Sequence, residues 1–319
     1  MRYETVGAAG PRVSALILGC GNFGGIGSPA QFRGKGDNRD TAFEVMDAAR
    51  ESGVCMFDTA NAYAGGTSEQ WIGEWLASRQ AYDDIAVTTK VGGPTDAGSG
   101  LSREHIRGQI DASLSRLGVE RVALYLAHGP DDTVPIEETI GTFDELVQEG
   151  KIGAYGVSNV TAEQLSAATA AGRPVNVQNG YNLFDRLGQA DLWPVCAAAG
   201  VGFTAYSPLA GGLLTGKHRA GQPFAAESRM ALRPPELTDL SLDRALGALP
   251  RLIEIADGYG VPLTTLALAW VLTDPGVTAA VVGPRSAEHL KPMVAAVDLA
   301  LTTEQRAELI VGTHSISNG

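Results

Sequence analysis

Eight short apolar runs punctuate the chain, separated by longer stretches in which apolar residues recur every three to four positions. The runs are ALIL (15–18), VCMFD (54–58), DIAVTTK (84–90), RVALYLAH (121–128), IGAYGVS (152–158), PVNVQN (174–179), GFTAYS (202–207) and TAAVVG (278–283). They are rich in Val, Ala and Leu and do not alternate strictly with polar residues, which is the signature of strands buried on both faces. Between them, RDTAFEVMDAARESG, TSEQWIGEWLASRQ, REHIRGQIDASLSRLG, PIEETIGTFDELVQEG, TAEQLSAATAAG, a segment starting near Asp191, LTTLALAWVLTDPG and SAEHLKPMVAAV read as amphipathic helices. Several open on a capping residue and close on glycine, as Thr161 and Gly172 do. Trp71 and Trp75, four residues apart on one such helix, read as a packing face.

Strands and helices that alternate singly imply a parallel sheet, and eight such units imply an α/β fold closed into a (β/α)8 TIM barrel. The competing architecture is a doubly wound sheet with a second domain. No Pro/Gly/Ser-rich linker or shift in composition divides the chain, and the rhythm continues to about residue 297, so residues 1–319 are expected to form a single barrel domain. The segment MRYETV…PRVSA precedes the first barrel strand and is expected to form a β-hairpin lid over the N-terminal face. The long loop after strand seven, from Ser207 to about Asp243, is rich in Gly, Pro and Arg and too long for an ordinary connection, which marks it as functional.

Charge narrows the partners. With 24 basic and 36 acidic residues the net charge is −12, and no basic stripe is present, which argues against nucleic acid or an anionic membrane surface as a partner and for a small molecule. Three scattered cysteines form no C-x-x-C pair and fit a reducing compartment. There is neither an N-terminal apolar core nor a long uninterrupted apolar run, so the expectation is a soluble, cytoplasmic protein. The five histidines contain no H-x-H pair and only His128 ends a strand, which weakens a metal-hydrolase reading.

Active sites of such barrels lie at the C-terminal ends of the strands. The residues there are Asp58, Lys90, His128, Ser158, Asn159, Gln178, Asn179 and Tyr206, with Tyr63 five positions beyond Asp58. An ammonium beside a phenol favours the phenolate and brings a tyrosine nearer a useful pKa. Lys90 is expected to do this for Tyr63, Asp58 to hold Lys90 charged, and His128 to donate to a carbonyl oxygen gaining negative charge. The set suits carbonyl reduction.

These residues resemble the aldo-keto reductase superfamily over nearly the whole chain. The likeness is carried by FDTANAY, TTK, LYLAHGPDDTVPIEETIGTFDELVQEGKIGAYGVSN and YSPLAGGLLTGK, in that order. The resemblance implies an NAD(P)H-dependent oxidoreductase reducing an aldehyde or ketone, with Tyr63 as general acid, Lys90 and Asp58 tuning it and His128 orienting the carbonyl. It implies that the nicotinamide carboxamide meets Ser158, Asn159 and Gln178, that its ring stacks on Tyr206, and that the pyrophosphate lies near Ser207, Leu209, Gly211 and Lys217. At the adenosine end stand Gly283, Arg285, Ser286 and His289. There the chain departs from the family pattern, with His289 and Met293 where a basic residue or glutamine and then an asparagine are common. Arg285 and Ser286 are candidate phosphate partners. NADPH is the favoured cofactor and NADH the alternative.

Two other readings remain open at this level. Lys90 could serve as a Schiff-base nucleophile in an aldolase-type barrel, although a neighbouring Asp58 would keep it protonated. The chain could also bind nicotinamide without turnover, as a regulatory subunit of the potassium channel beta type. The spacing Gly19-x-Gly21-x-x-Gly24 matches a dinucleotide fingerprint, but a helix pattern begins only near Asp40, so the third glycine opens no helix and the motif fails its context. The resemblance instead places Gly21, Asn22 and Phe23 beside the nicotinamide and substrate. FRGKGDN (32–38) reads equally as a cover for the site or as a surface loop.

Overall fold

The computed structural model describes residues 1–186, 189–226, 228–233, 237 and 241–314. Eight parallel strands close into a barrel in the order β10-β3-β4-β5-β6-β7-β8-β9. They are β3 (Leu16–Gly19), β4 (Met56–Asp58), β5 (Ala86–Val91), β6 (Val122–Ala127), β7 (Ile152–Ser158), β8 (Asn176–Gly180), β9 (Gly202–Tyr206) and β10 (Ala279–Val282). All eight coincide with the apolar runs. Closure is made by β10 against β3, with Ala280 opposite Leu16 and Val282 opposite Leu18.

Strands β1 (Tyr3–Thr5) and β2 (Arg12–Ser14) form the expected antiparallel hairpin. It seats on the N-terminal end of the barrel, where the Ala8 amide donates to the Gly200 carbonyl just ahead of β9 at 2.8 Å. Gly7 has a φ of +59°, and a Cβ there would lie 2.4 Å from the Val175 carbonyl oxygen, so only glycine lets the hairpin approach this closely. Val6 and Val13 pack with Ile17, Met56, Ala279 and Val281 to seal this end.

The helices follow from amphipathic patterning and capping. α1 (Arg39–Glu51) is capped by Asn38, which accepts from the Thr41 amide, and α2 (Thr67–Arg79) buries Trp75 beside Phe57. α3 (Arg103–Leu117) and α4 (Ile136–Gln148) cover the next strands, and α5 (Ala162–Ala171) begins with a complete capping box between Thr161 and Gln164. α6 (Leu192–Ala199), the short α7 (Arg229–Leu232), α8 (Leu242–Gly258), α9 (Leu263–Leu272), α10 (Ala287–Ala295) and α11 (Thr303–His314) complete the chain.

α8 and α11 are absent from the sequence expectation. α8 starts directly behind the Gly/Pro/Arg-rich segment and carries Pro250, yet Ala245, Leu249, Leu252 and Ala256 line a buried stripe at helical spacing. That packing outweighs the local breaker. Of the long loop after strand seven, residues 227, 234–236 and 238–240 lie outside the described residues. No single described helix is long and apolar enough to cross a membrane.

Candidate active site

At the C-terminal rim the strand ends converge on one cleft of about 620 Å³. Its floor is an ion pair. Lys90 Nζ donates to Asp58 Oδ1 at 2.5 Å and to the Thr59 carbonyl at 2.8 Å, and both side chains are almost fully buried. The second carboxylate oxygen, Oδ2, accepts from Gln178 Nε2 at 2.8 Å, a bond across the barrel between residues 120 positions apart. Burial acts to lower the Lys90 pKa, but the charge and hydrogen bond of Asp58, with help from Tyr63, outweigh it and hold the ammonium above its ordinary value.

Tyr63 stands over this pair, its ring centroid 5.3 Å from Lys90 Nζ and 5.5 Å from the His128 ring, which it meets edge to face. It belongs to a tight turn, Tyr63–Gly66, in which Ala64 adopts a φ of +50°. The turn is braced from two sides. Ala64 N donates to the Gly27 carbonyl at 3.1 Å, and Gly24 lies so close to Thr67 that a Cβ would stand 2.7 Å from its methyl group. Gly21 faces the Tyr63 ring, where a Cβ would make an ordinary contact at 3.6 Å.

The expected lowering of the Tyr63 pKa does not prevail. Burial pushes the phenol above its ordinary value, and Lys90 recovers only part of that shift. Lys90 therefore offsets a desolvation that the sequence does not reveal. His128 moves the other way: burial, with the positive charges of Lys90 and Arg233, lowers it to about 3, so the ring is neutral at physiological pH. Its Nδ1 is buried beside Gly93 and has no hydrogen-bond partner among the described residues.

On the opposite wall the polar side chains engage one another. Ser158 Oγ donates to the Gln178 carbonyl at 2.6 Å, Asn159 Nδ2 to the His128 carbonyl at 2.7 Å, and the Tyr206 hydroxyl to Asn159 Oδ1 at 2.7 Å. Asn159 and Ser207 both have positive φ, as does Ala210 in the turn that follows. Ser207, Leu209, Gly211 and Lys217 line the same cleft, and the Gly211–Gly212 pair turns the chain with φ of +64° and +106°.

At the far end, Gly283, Arg285 and His289 line the cleft, with Pro292 and Met293 beside them. Arg285 Nε donates to Asp37 Oδ1 at 2.8 Å. Asp37 is buried, its Oδ2 has no partner among the described residues, and burial raises its carboxyl pKa against the pull of Arg285. Ser286 is the N-cap of α10, its hydroxyl accepting from the His289 amide, and does not line the cleft.

One further sequence placement differs. Phe23 is only 1% exposed and packs in the core instead of facing the cleft, because the exit loop of β3 folds back so that the Asp37 amide donates to Asn22 O and the Gly24 amide to Asp37 O. The same bonds fasten the end of the FRGKGDN loop to the strand exit, while its Arg33 pairs with Asp96. Gln178 lines the cleft with its Nε2 engaged by Asp58. Arg233 of the long loop lines the cleft, as does Arg229, which the sequence analysis passed over. Its signal was available: an arginine in a segment already marked as functional. The Arg229 side chain has no hydrogen bond or carboxylate partner among the described residues, and burial and the nearby Arg233 lower its pKa.

The Aldo/keto reductase family profile matches residues 15–310. The chain is 33% identical to an uncharacterized oxidoreductase of Bacillus subtilis (strain 168), covering 95% of this chain and 93% of that protein. It is 33% identical to a probable voltage-gated potassium channel subunit beta of Arabidopsis thaliana, over 94% and 92% of the two chains. It is 32% identical to L-glyceraldehyde 3-phosphate reductase of Escherichia coli (strain K12), over 97% and 91%.

Proposed function

This chain belongs to the aldo/keto reductase family, and on that premise we propose that it reduces an aldehyde or ketone to an alcohol with NADPH, Tyr63 donating the proton. The observation that carries the proposal is the placement of Tyr63 and a neutral His128 edge to face above the buried Asp58–Lys90 pair, within one cleft.

A nicotinamide cofactor supplies the hydride when bound. The residues present fit one: Tyr206 offers a ring at the cleft wall, the turn from Ser207 to Lys217 offers backbone amides and a cation, and Arg229 is a half-buried guanidinium in need of an anion. Ser158, Asn159 and Gln178 would meet the carboxamide, and Gly21 and Asn22 would border the reactive end. Arg229 joins Ser207, Leu209, Gly211 and Lys217 as a pyrophosphate contact. Arg285 spends Nε on Asp37 and keeps its Nη donors for a 2′-phosphate, with Gly283 and His289 around it, which favours NADPH over NADH. The three cysteines are free, which suits the cytoplasmic setting we assign.

The protein's own groups act on the proton and on the charge. As the carbonyl oxygen becomes an alkoxide, neutral His128 donates a hydrogen bond to it and the Tyr63 hydroxyl gives up its proton to form the alcohol. The phenolate left behind faces the Lys90 ammonium, which Asp58 and the Thr59 carbonyl keep in place. Desolvation holds Tyr63 protonated until an anion arrives to claim the proton. The same geometry disfavours the Schiff-base reading, since Lys90 is held as an ammonium whereas a nucleophilic amine must be neutral.

The test is consumption of NADPH and NADH against aldehydes, ketones and sugar-derived carbonyls, run beside Tyr63→Phe. Loss of the general acid is expected to lower turnover by about 10²–10⁴-fold while cofactor still binds. Turnover retained by Tyr63→Phe would remove it as the acid, and stoichiometric binding without turnover on any carbonyl would favour the regulatory-subunit reading.

A further inference from the structure

Beyond the reacting groups, the charged side chains around the cleft are nearly all accounted for. Asp58 and Lys90 neutralise each other, Arg285 is tied to Asp37, and Arg229 falls to the pyrophosphate. A second cavity of about 640 Å³ begins at the shared residues Ser28 and His128 and runs past Gly93, Pro130 and Asp131. Its Asp131 is already engaged, accepting from the Leu101 amide and from the amide and hydroxyl of Thr133. That leaves Arg233.

Arg233 lines the cleft with Gly27, Ser28, Tyr63 and His128. Its Nη1 donates to the Ile26 carbonyl at 3.1 Å, and it has no carboxylate partner among the described residues. The contact depends on Gly27, whose φ is +69° and where a Cβ would stand 2.3 Å from that same Nη1. The β3 exit loop is thus shaped to seat this guanidinium. One carbonyl anchors it, and among the described residues its remaining donors meet no countercharge. Its positive charge is felt by both Tyr63 and His128, so it stands on the side of the cleft where the substrate reacts.

We propose that Arg233 is the anion-recognition residue of the substrate site, so that the preferred substrates are aldehydes or ketones bearing a carboxylate or phosphate a few bonds from the carbonyl. This rests on the carbonyl-reductase reading above. A guanidinium offers two parallel donors to either anion, and a lysine cannot reproduce that fork. The geometry separates the tasks: His128 and Tyr63 take the carbonyl oxygen, and Arg233 holds the far end of a short chain against the Gly27–Ser28 wall.

Matched pairs test it. Succinic semialdehyde is compared with butanal, and glyceraldehyde 3-phosphate with glyceraldehyde, on the wild type, Arg233→Gln and Arg233→Lys, with NADPH saturating. The wild type is expected to favour the anionic member of at least one pair, and Arg233→Gln to lower kcat/KM for that member about 10–100-fold more than for its neutral partner. The loss should appear in KM, and Arg233→Lys should recover part of it. The pair that responds identifies the anion as carboxylate or phosphate. An equal preference in wild type and Arg233→Gln overturns the inference while leaving reduction of neutral carbonyls, and hence the carbonyl-reductase reading, intact. Should no carbonyl be reduced, calorimetry with succinate in the presence of NADPH decides separately: weaker binding to Arg233→Gln supports the inference, and equal binding overturns it.

Discussion

At the N-terminal end of the barrel, the hairpin lies against the strand starts through a glycine, backbone hydrogen bonds and a seal of valine, isoleucine and methionine side chains. At the C-terminal end, a buried ion pair, a histidine nitrogen without a partner among the described residues and four non-glycine residues of positive φ (Ala64, Asn159, Ser207 and Ala210) crowd the mouth of a cleft. The same eight strands end in both regions, so the contrast comes from what the loops carry. One end lowers the free energy of the fold; the other holds charge and strained backbone at a cost that the rest of the barrel offsets. Substitutions at the N-terminal end should therefore change stability alone, whereas those at the rim should also change turnover.

The largest effect on the fold is expected at the rim. Asp58→Asn leaves the Lys90 ammonium buried without its countercharge, and a loss of about 3–5 kcal/mol is expected, read as a lower midpoint in urea together with loss of reductase turnover. A midpoint unchanged from wild type would mean that the pair contributes nothing to the fold. At the other end, Gly7→Ala forces a side chain into left-handed backbone and against Val175, at a cost of more than about 1 kcal/mol, with kcat/KM unchanged in the surviving folded fraction. A change in kcat/KM would show that the hairpin reaches the site.

How much of this contrast was legible in the sequence depends on its range. The eight strands were legible because strands buried on both faces read as unbroken apolar runs, and the rim positions of Asp58, Lys90, His128 and Tyr206 followed from barrel topology alone. The bond from Gln178 to Asp58 was not, since it joins side chains across the barrel interior and has no local signature. Nor was the pKa of Tyr63: the lysine's charge can be anticipated from spacing, but the opposing desolvation depends on how deeply the turn is packed. Phe23 was placed at the cleft because its neighbours are there, whereas the loop turns its ring inward. The helix α8 was hidden by Pro250 and by the irregular segment before it.

Two smaller effects sharpen the comparison. His128 has a folded pKa of about 3 against an ordinary 6.5, so below pH 6.5 the unfolded chain takes up a proton that the folded protein refuses. Its contribution to stability is complete above 6.5 and declines as pH falls from there toward 3. His128→Gln should flatten that part of the stability–pH curve, and an unaltered curve would place the sensitivity elsewhere. The smallest effect is Ala64→Gly, which relieves a left-handed alanine and is expected to raise stability by no more than about 1 kcal/mol while lowering kcat as the Tyr63 turn loosens. Unchanged kcat would show that the strain is incidental to positioning Tyr63.

The pairing of β3 with β10 also governs how the molecule comes into being. Leu16, synthesised more than 260 residues ahead of Ala280, must wait for it before its strand has a neighbour on that side. Until then the growing sheet has two open edges, ready to pair with other chains, and folding is slowed by contacts of very long range. The catalytic mouth needs every strand end in place. It is therefore completed only when the last strand closes the ring, so an unfinished chain exposes the hazards of the sheet before it acquires any of the chemistry.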